Sequence, residues 1–344
     1  MKRLNKSLFF FVAPILLLAA CKPTGRTLPS ATGSIYECVV VCDKTLYATI
    51  DSVMAADMPC LPQMEPYFNC SNVPPTLFDD FLKSARNVLL VDISDKYVQA
   101  KVVMVRNRWS KPQAVCRVQA PDTAVFLAYW SENGKAVREW FVREELARQV
   151  RFLRGSTNKD ARAALQKRFG CDMLIPEDYM LIKDSGDVVW CCNSKGPVRR
   201  DLVIYSYPYT DSLTFTQEYL CRKRDEVLGG LVSGQVAGSY MGTEYRHFPP
   251  EMRYVQPLPQ IPNTPNTPGN SFYAAEVRGL WRLYGGEAMG GPFVSLSRLD
   301  CVNGRVITAE VFVFAAGQKK RNPLRQAEAI LYTLRLPEEQ STEY

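Results

Sequence analysis

Histidine is almost absent from this chain: His247 is the single one in 344 residues. A histidine-rich zinc site is therefore excluded, and a serine–histidine–acid triad would have to be built on His247, which stands beside Phe248-Pro249-Pro250 and reads as an ordinary loop residue. No two cysteines are spaced C-x-x-C, so a four-cysteine zinc site lacks its usual framework. There is no G-x-S-x-G elbow, no Walker phosphate loop and no G-x-G-x-x-G dinucleotide fingerprint. Nothing in the sequence implies a cofactor or a metal. A basic run is also missing. The formal charge is +7, and it falls to +4 once Lys2, Arg3 and Lys6 of the first segment are set aside. That gives no electrostatic footprint for nucleic acid. Finally, no apolar run reaches the roughly 20 residues that a spanning helix needs.

The longest apolar run is Leu8 to Leu18, and it follows a basic start in MKRLNKSLFFFVAPILLLAAC. This is the pattern of a secretory signal over residues 1–20. It ends in Leu18-Ala19-Ala20-Cys21, which resembles a bacterial lipobox, with the Cys21 thiol as the lipidation site. Two or more acyl chains there anchor a protein stably, whereas one does not. An ordinary signal peptide with a chance cysteine, or a short membrane anchor, is the plainer alternative. In bacterial lipoproteins an aspartate after the cysteine commonly marks inner-membrane retention. Lys22 stands here instead, so the expected location is the outer membrane, facing the periplasm. Residues 21–34 are rich in Pro, Gly, Ser and Thr without apolar periodicity, and read as a flexible tether.

The rest has globular proportions, 47% hydrophobic against 22% charged, so a sizeable core is expected. Ten cysteines remain after Cys21. Several lie inside apolar strands, Cys38 and Cys42 in ECVVVC among them, and are expected to be buried thiols with one or two bridges of unassigned pairing. Periodicity gives an α+β protein with largely antiparallel sheets and helices packed on them. Expected helices cover 44–58, 76–85, 121–154 (bent at Asn133-Gly134), 156–169, 215–228 with Thr214 as cap, and 323–334. The expected divisions are an N-terminal lobe over 35–155, a connecting helix and hairpin over 156–200, and a C-terminal lobe over 201–336 with a Pro-rich inserted loop at 257–270; 35–336 as one domain is the alternative. The order of elements repeats between the lobes, with VVVC at Val39 set against VIYS at Val203 and RNVLLV at Arg86 against RGLWRL at Arg278. An internal duplication would produce that repeat and would leave a cleft between lobes as the natural binding site.

The blocks VVVCD, LPQMEPYF, RNVLLVDI, GSYMGTE, RGLWRLYGGEAMGGPF and RQAEAILYTL resemble an uncharacterised bacterial lipoprotein family, domain of unknown function 4837. The resemblance runs from Tyr36 to Leu334 and implies a lipid-anchored envelope protein. It supplies no reaction, cofactor or catalytic residue.

The densest of these blocks, Gly279 to Phe293, has two readings. In the plain one it is a strand reversal, with Trp281 and Phe293 packed inward and Pro292 starting an edge strand. In the sharper one it walls a pocket. Arg278 then faces an anion, Trp281 or Tyr284 stacks on a ring, and Gly290 and Gly291 let a ligand approach the backbone. Ser239, Tyr240 and Thr243 of GSYMGTE would supply the other wall. A carboxylate-dependent glycoside hydrolase needs no histidine, and Glu244, Glu276, Glu287 and Glu310 are its candidate acids. The charged tract REELARQVRFLR, 143–154, reads as a solvated helix face whose arginines could meet anionic lipid. The leading expectation is a binding or structural protein whose partner is an envelope protein or a glycan.

Overall fold

The computed structural model describes residues 27–255 and 274–340. The leader, Cys21 and the Pro-rich stretch 257–270 lie outside the described residues.

The first unit is built on a five-stranded sheet. Its strands are β1 (Glu37–Val41), β2 (Asn69–Val73), β3 (Asn87–Ile93), β4 (Lys101–Arg106) and β5 (Ala114–Ala120), in the order β2-β1-β3-β5-β4. The pairings β1–β2, β1–β3 and β3–β5 are parallel, and only β4–β5 is antiparallel. Parallel neighbours have both faces covered, and the sequence of β1 shows why that suits it. Cys38 and Val40 point to one core, while Val39 and Val41 point to a smaller apolar cluster with Phe78 and Trp109 on the far face. Helices α1 (Lys44–Met54) and α2 (Thr123–Leu153) cover the first face, through Leu46, Ile50, Phe126, Trp130 and Phe141.

Three local expectations change here. The helix expected over 76–85 is two short 3-10 turns, Pro75–Leu77 and Leu82–Ser84. The Asp79 carboxylate accepts from the Leu82 N–H at 2.9 Å and starts a new turn, so no continuous ladder forms. Helix α2 runs unbroken through Asn133-Gly134. Gly134 is there for packing: a Cβ would come within 2.9 Å of the Trp130 indole. Residues 29–32, expected to belong to a flexible tether, are also bonded to the body. Lys111 N–H donates to the Pro29 carbonyl, Thr32 N–H to Ser84 and Arg86 N–H to Thr32, so this segment is tied to the body.

The second unit begins at α3 (Lys159–Phe169), which Gly170 ends in the left-handed conformation. Strands β6 (Met180–Ser185), β7 (Val188–Asn193) and β8 (Arg199–Pro208) follow. After α4 (Gln217–Leu231) come β9 (Tyr240–Thr243), β10 (Glu251–Val255), β11 (Ala274–Tyr284), β12 (Gly290–Asp300) and β13 (Arg305–Phe314), then α5 (Arg321–Leu331) and the short α6 (Pro337–Gln340). The cap of α4 is Thr216, since Thr214 is already used within the preceding Asp211 turn. The eight strands form one antiparallel sheet in the order β10-β11-β12-β13-β8-β7-β6, with β9 also on β11. The β6–β7 hairpin is thus part of this sheet, not a connector. Antiparallel pairings predominate in the molecule, and the architecture is α+β. Alternate residues of β13 separate the faces: Ile307, Ala309 and Val311 meet α3 and α5, while Val306, Glu310 and Phe312 face the α4 side.

The units are joined through α5. Leu324, Ala327, Ile330 and Leu331 fill the core of the second sheet, whereas Ala329 and Tyr332 belong to the core of the first unit. The start of α5 has no cap of its own. Instead Glu65 of the first unit accepts from the Lys320 N–H at 2.6 Å and the Arg321 N–H at 3.1 Å. A carboxylate at this end also meets the positive end of the helix dipole.

The repeated element order does not reflect a repeated fold. The segments at Val39 and Arg86 lie on parallel neighbours, with Val39 opposite Val88. Their supposed counterparts lie on β8 and β11, which are separated by β13 and β12.

Candidate functional site

The Gly279–Phe293 block forms the β11–β12 hairpin, with its turn between Tyr284 and Gly290. Strand β12 begins at Gly290 and lies between β11 and β13, so Pro292 is in an interior strand. Its pairing with β13 starts only at Phe293, because Pro292 has no N–H to give. Trp281 is 3% exposed, and its indole N–H donates to the Val313 carbonyl at 3.3 Å. A Cβ at residue 291 would overlap that carbonyl oxygen and press on the indole nitrogen. Gly291 therefore makes room for Trp281, not for a ligand. Gly290 is similarly closed by the backbone of Trp281 and Arg282.

The other expected binding residues are also committed within the protein. Arg278 is buried, donating from Nε to Glu276 at 2.7 Å and pairing with Glu328. Thr243 takes a hydrogen bond from Arg224 at 3.0 Å and gives one to Asp225 at 2.7 Å. Tyr284 donates to the Thr243 carbonyl at 2.8 Å and stacks on Tyr240 with ring centroids 5.5 Å apart. Of that pair only Tyr240, 49% exposed, offers a large free face. Ser239 holds its own loop through Gly234 and Val236.

The four candidate acids do not converge. Glu276 faces α5 and accepts from Arg253, Arg278 and Tyr332, each at 2.7 Å. Burial alone would raise its pKa, but Arg278 and Arg253 outweigh that and hold it down at about 2. Glu310 lies on the opposite face, completely buried, with both oxygens 3.0 Å from Arg224 Nε. Glu287 sits in the hairpin turn and accepts from the Gln235 N–H at 2.7 Å. Glu244 is bound by Arg282 at 3.0 Å and by the backbone N–H groups of Arg246 and His247. No two of them face each other across an open cleft. His247 lies at the surface beside Glu244, 3.5 Å from it.

Among the described residues, two of the cavities are of ligand size. One, about 380 Å³, lies over the α4 side of the second sheet and includes Trp281 and Met241 among its walls, with Trp190, Phe312 and Phe314. The sharper reading of the glycine block thus places one of its residues, Trp281, on a cavity wall. Three of its polar side chains satisfy each other: Asp201 takes Trp190 Nε1 at 2.9 Å and Arg199 Nε and Nη2 at 2.8 and 2.9 Å.

The larger cavity, about 440 Å³, opens between the two units. Ile35, Phe152 and Leu153 of the first unit and Pro176, Tyr179 and Ile330 of the second give it apolar walls. Its polar groups are Arg86, Arg148, Gln149, Asp178, Arg200 and Gln326. Glu145 neutralises two of the guanidiniums. Arg86 binds it in a fork at 2.9 and 2.8 Å, and Arg148 reaches it at 2.8 Å. Arg200 meets only the Gln326 side-chain oxygen, at 3.1 Å, among the described residues. Three buried atoms on the lining residues have no hydrogen-bond partner: Arg148 Nε, Gln149 Oε1 and Arg200 Nε. Orphaned polar atoms are uncommon in native proteins and call for an explanation.

This site was not among the sequence candidates. Glu145, Arg148, Gln149 and Phe152 recur at i, i+3, i+4 and i+7 and so share one face of α2. That face looked solvated because nothing local shows that Tyr36, Arg86 and Asn87 of the same unit meet Glu145 and Arg148. Glu145 and Arg148 are in fact buried.

Residues 157–333, more than half of the chain, match the family described as Domain of unknown function (DUF4837). The chain belongs to that family. Residues 31–154 match a second one, Domain of unknown function (DUF8532). No curated protein matches. Among solved structures the chain is similar to a point mutant of the protein Mog1, at 7% identity over 48% of this chain and 90% of that one, with a TM-score of 0.30. The Saccharomyces cerevisiae Ran-binding protein Mog1p gives 8%, 48%, 90% and 0.29. The lipid transfer and protein localization domain of human StarD13 gives 8%, 45%, 86% and 0.21. These likenesses are too weak to inform function. The DUF4837 match begins just after α2 ends, so the larger cavity lies on the seam between the two matched segments.

Proposed function

We propose that this DUF4837 protein is a non-catalytic binding protein, anchored through lipid on Cys21 to the periplasmic side of the bacterial outer membrane. The leader supports the anchor: a basic start, a short apolar run and Leu-Ala-Ala-Cys. No described helix is long and apolar enough to cross a membrane. The observation that carries the binding reading is the seam cavity, apolar in its walls and lined by residues with three buried, unpartnered polar atoms. Its occupant is a small envelope molecule, or the exposed end of a protein or glycan partner. The hydrolase reading loses its footing: Glu276 and Glu310 point to opposite faces of the sheet and, like Glu244, are held by arginines, while Glu287 is held by the Gln235 N–H.

Native mass spectrometry on protein taken gently from its own membranes tests both parts. The mature chain carries diacylglyceryl and acyl mass at Cys21, and Cys21→Ala releases the protein into the soluble fraction. A non-covalent adduct accompanies the wild type and is lost in Leu153→Trp, which fills the cavity. An unmodified Cys21 refutes the anchor, and an adduct-free wild type refutes the binding site.

A further inference from the structure

We propose that the seam cavity takes a small amphipathic acid: an unbranched acyl chain ending in a carboxylate. This rests on the binding reading above and narrows it. The volume of about 440 Å³ lies within the range of small-molecule sites. Both units contribute aliphatic and aromatic side chains to the walls, which suits a flexible chain. At the edge of the cavity Phe152 is 86% exposed on the last turn of α2, a phenyl ring left in water beside an apolar opening.

Charge fixes the head. Around the cavity stand three guanidiniums, of Arg86, Arg148 and Arg200, against two carboxylates, Glu145 behind the wall and Asp178 on it. One positive charge is in excess. Glu145 already holds Arg86 and Arg148, and Asp178 accepts from the Asn193 side-chain amide. Arg200 remains, with a buried unpartnered Nε. A carboxylate accepts two parallel N–H bonds from one guanidinium, and its single charge matches the single excess. Gln149 adds a second donor. Its Nε2 reaches the Tyr36 hydroxyl at 3.4 Å while Oε1 is orphaned. Turning the amide over lets Oε1 accept from that hydroxyl and puts the Nε2 donor at the orphaned position. Burial pushes the Tyr36 hydroxyl well above its ordinary range, so it keeps its proton and can donate.

The test uses the mature polypeptide without acyl groups, titrated calorimetrically with decanoate, decanol and butyrate. Decanoate binds, decanol binds about tenfold more weakly, and butyrate shows no binding, in line with one charge-assisted contact plus a buried chain. Arg200→Gln brings decanoate down to the level of decanol, and Phe152→Ala weakens both. Neither substitution touches a core side chain. Salt narrows the decanoate–decanol gap. Equal affinity for decanoate and decanol, or an unchanged decanoate affinity in Arg200→Gln, overturns the acid. Failure of both ten-carbon ligands, with the native adduct still present and lost in Leu153→Trp, overturns the amphiphile but leaves the cavity a binding site. Failure of both together with an adduct-free native protein removes the two readings at once.

Discussion

Replacing Glu276 by Gln separates a structural carboxylate from a catalytic one. Glu276 lies in a buried chain of charges, Arg253–Glu276–Arg278–Glu328–Arg325, that ties β10, β11 and α5 together. Arg253, partly exposed, also meets Glu139 at 3.6 Å, so three guanidiniums face three carboxylates there. With Gln at 276 the buried Arg278 and Arg325 are left to share the one carboxylate of Glu328, and the new amide N–H₂ meets donors. Breaking a buried pair from one side costs about 3–5 kcal/mol. The proton equilibrium gives a similar figure. The carboxyl is held at about 2 in the fold and lies near 4.3 when unfolded, a difference of about 3 kcal/mol. The sign follows from the lowered value: this stability is complete above about pH 4.5 and is lost as pH falls through 2. At about 2 °C per kcal/mol for a chain of this size, Glu276→Gln unfolds roughly 6–10 °C below wild type at pH 7. Its Tm also falls less than the wild type's between pH 5 and pH 2.5. Thermal unfolding followed by circular dichroism at those pH values reads both effects. A variant that melts within about 1 °C of wild type refutes the buried network, and one that does so while losing glycan turnover restores the hydrolase.

Other outcomes follow from the same geometry. Glu65→Ala removes the cap that the first unit lends to α5 and costs about 1–2 kcal/mol; hydrogen exchange at residues 320–324 rises, whereas exchange in β6 stays as it was. Gly291→Ala forces a methyl group against the Val313 carbonyl and the Trp281 indole and destabilises by about 1–3 kcal/mol, seen as a lower denaturation midpoint with red-shifted tryptophan emission. No disulfide joins the ten described cysteines, and seven of them are buried. Burial pushes the Cys116, Cys171 and Cys191 thiols up to about 12. Alkylation of the native protein at pH 8 therefore marks Cys301 first and those three only after unfolding; early labelling of Cys116 would contradict the packing.

The strands with strong apolar patterns were legible from sequence, and so was α3 with its glycine stop. The face of α5 that carries Leu324, Ala327, Ile330 and Leu331 was legible too. Glycine was where reading failed, for one physical reason. Gly134 makes room for the Trp130 ring one turn earlier on the same helix, and Gly291 for the Val313 carbonyl and the Trp281 indole; packing requires both, and the glycine letter alone does not distinguish that from a turn. The element order suggested a duplication because it is blind to which strands become neighbours. A cleft between lobes was anticipated, but its residues were not. Arg148 and Gln149 read as surface until α5 and the segment around Pro176 come to face them.

Helix α5 comes near the end of the chain, yet Ala329 and Tyr332 complete the packing begun at Tyr36, almost 300 positions earlier. A nascent first unit emerging alone has a hole where that helix belongs. Its closure must wait until residues 321–332 have been made, and a chain cut before Arg321 would leave both halves with greasy surfaces for chaperones and proteases to find.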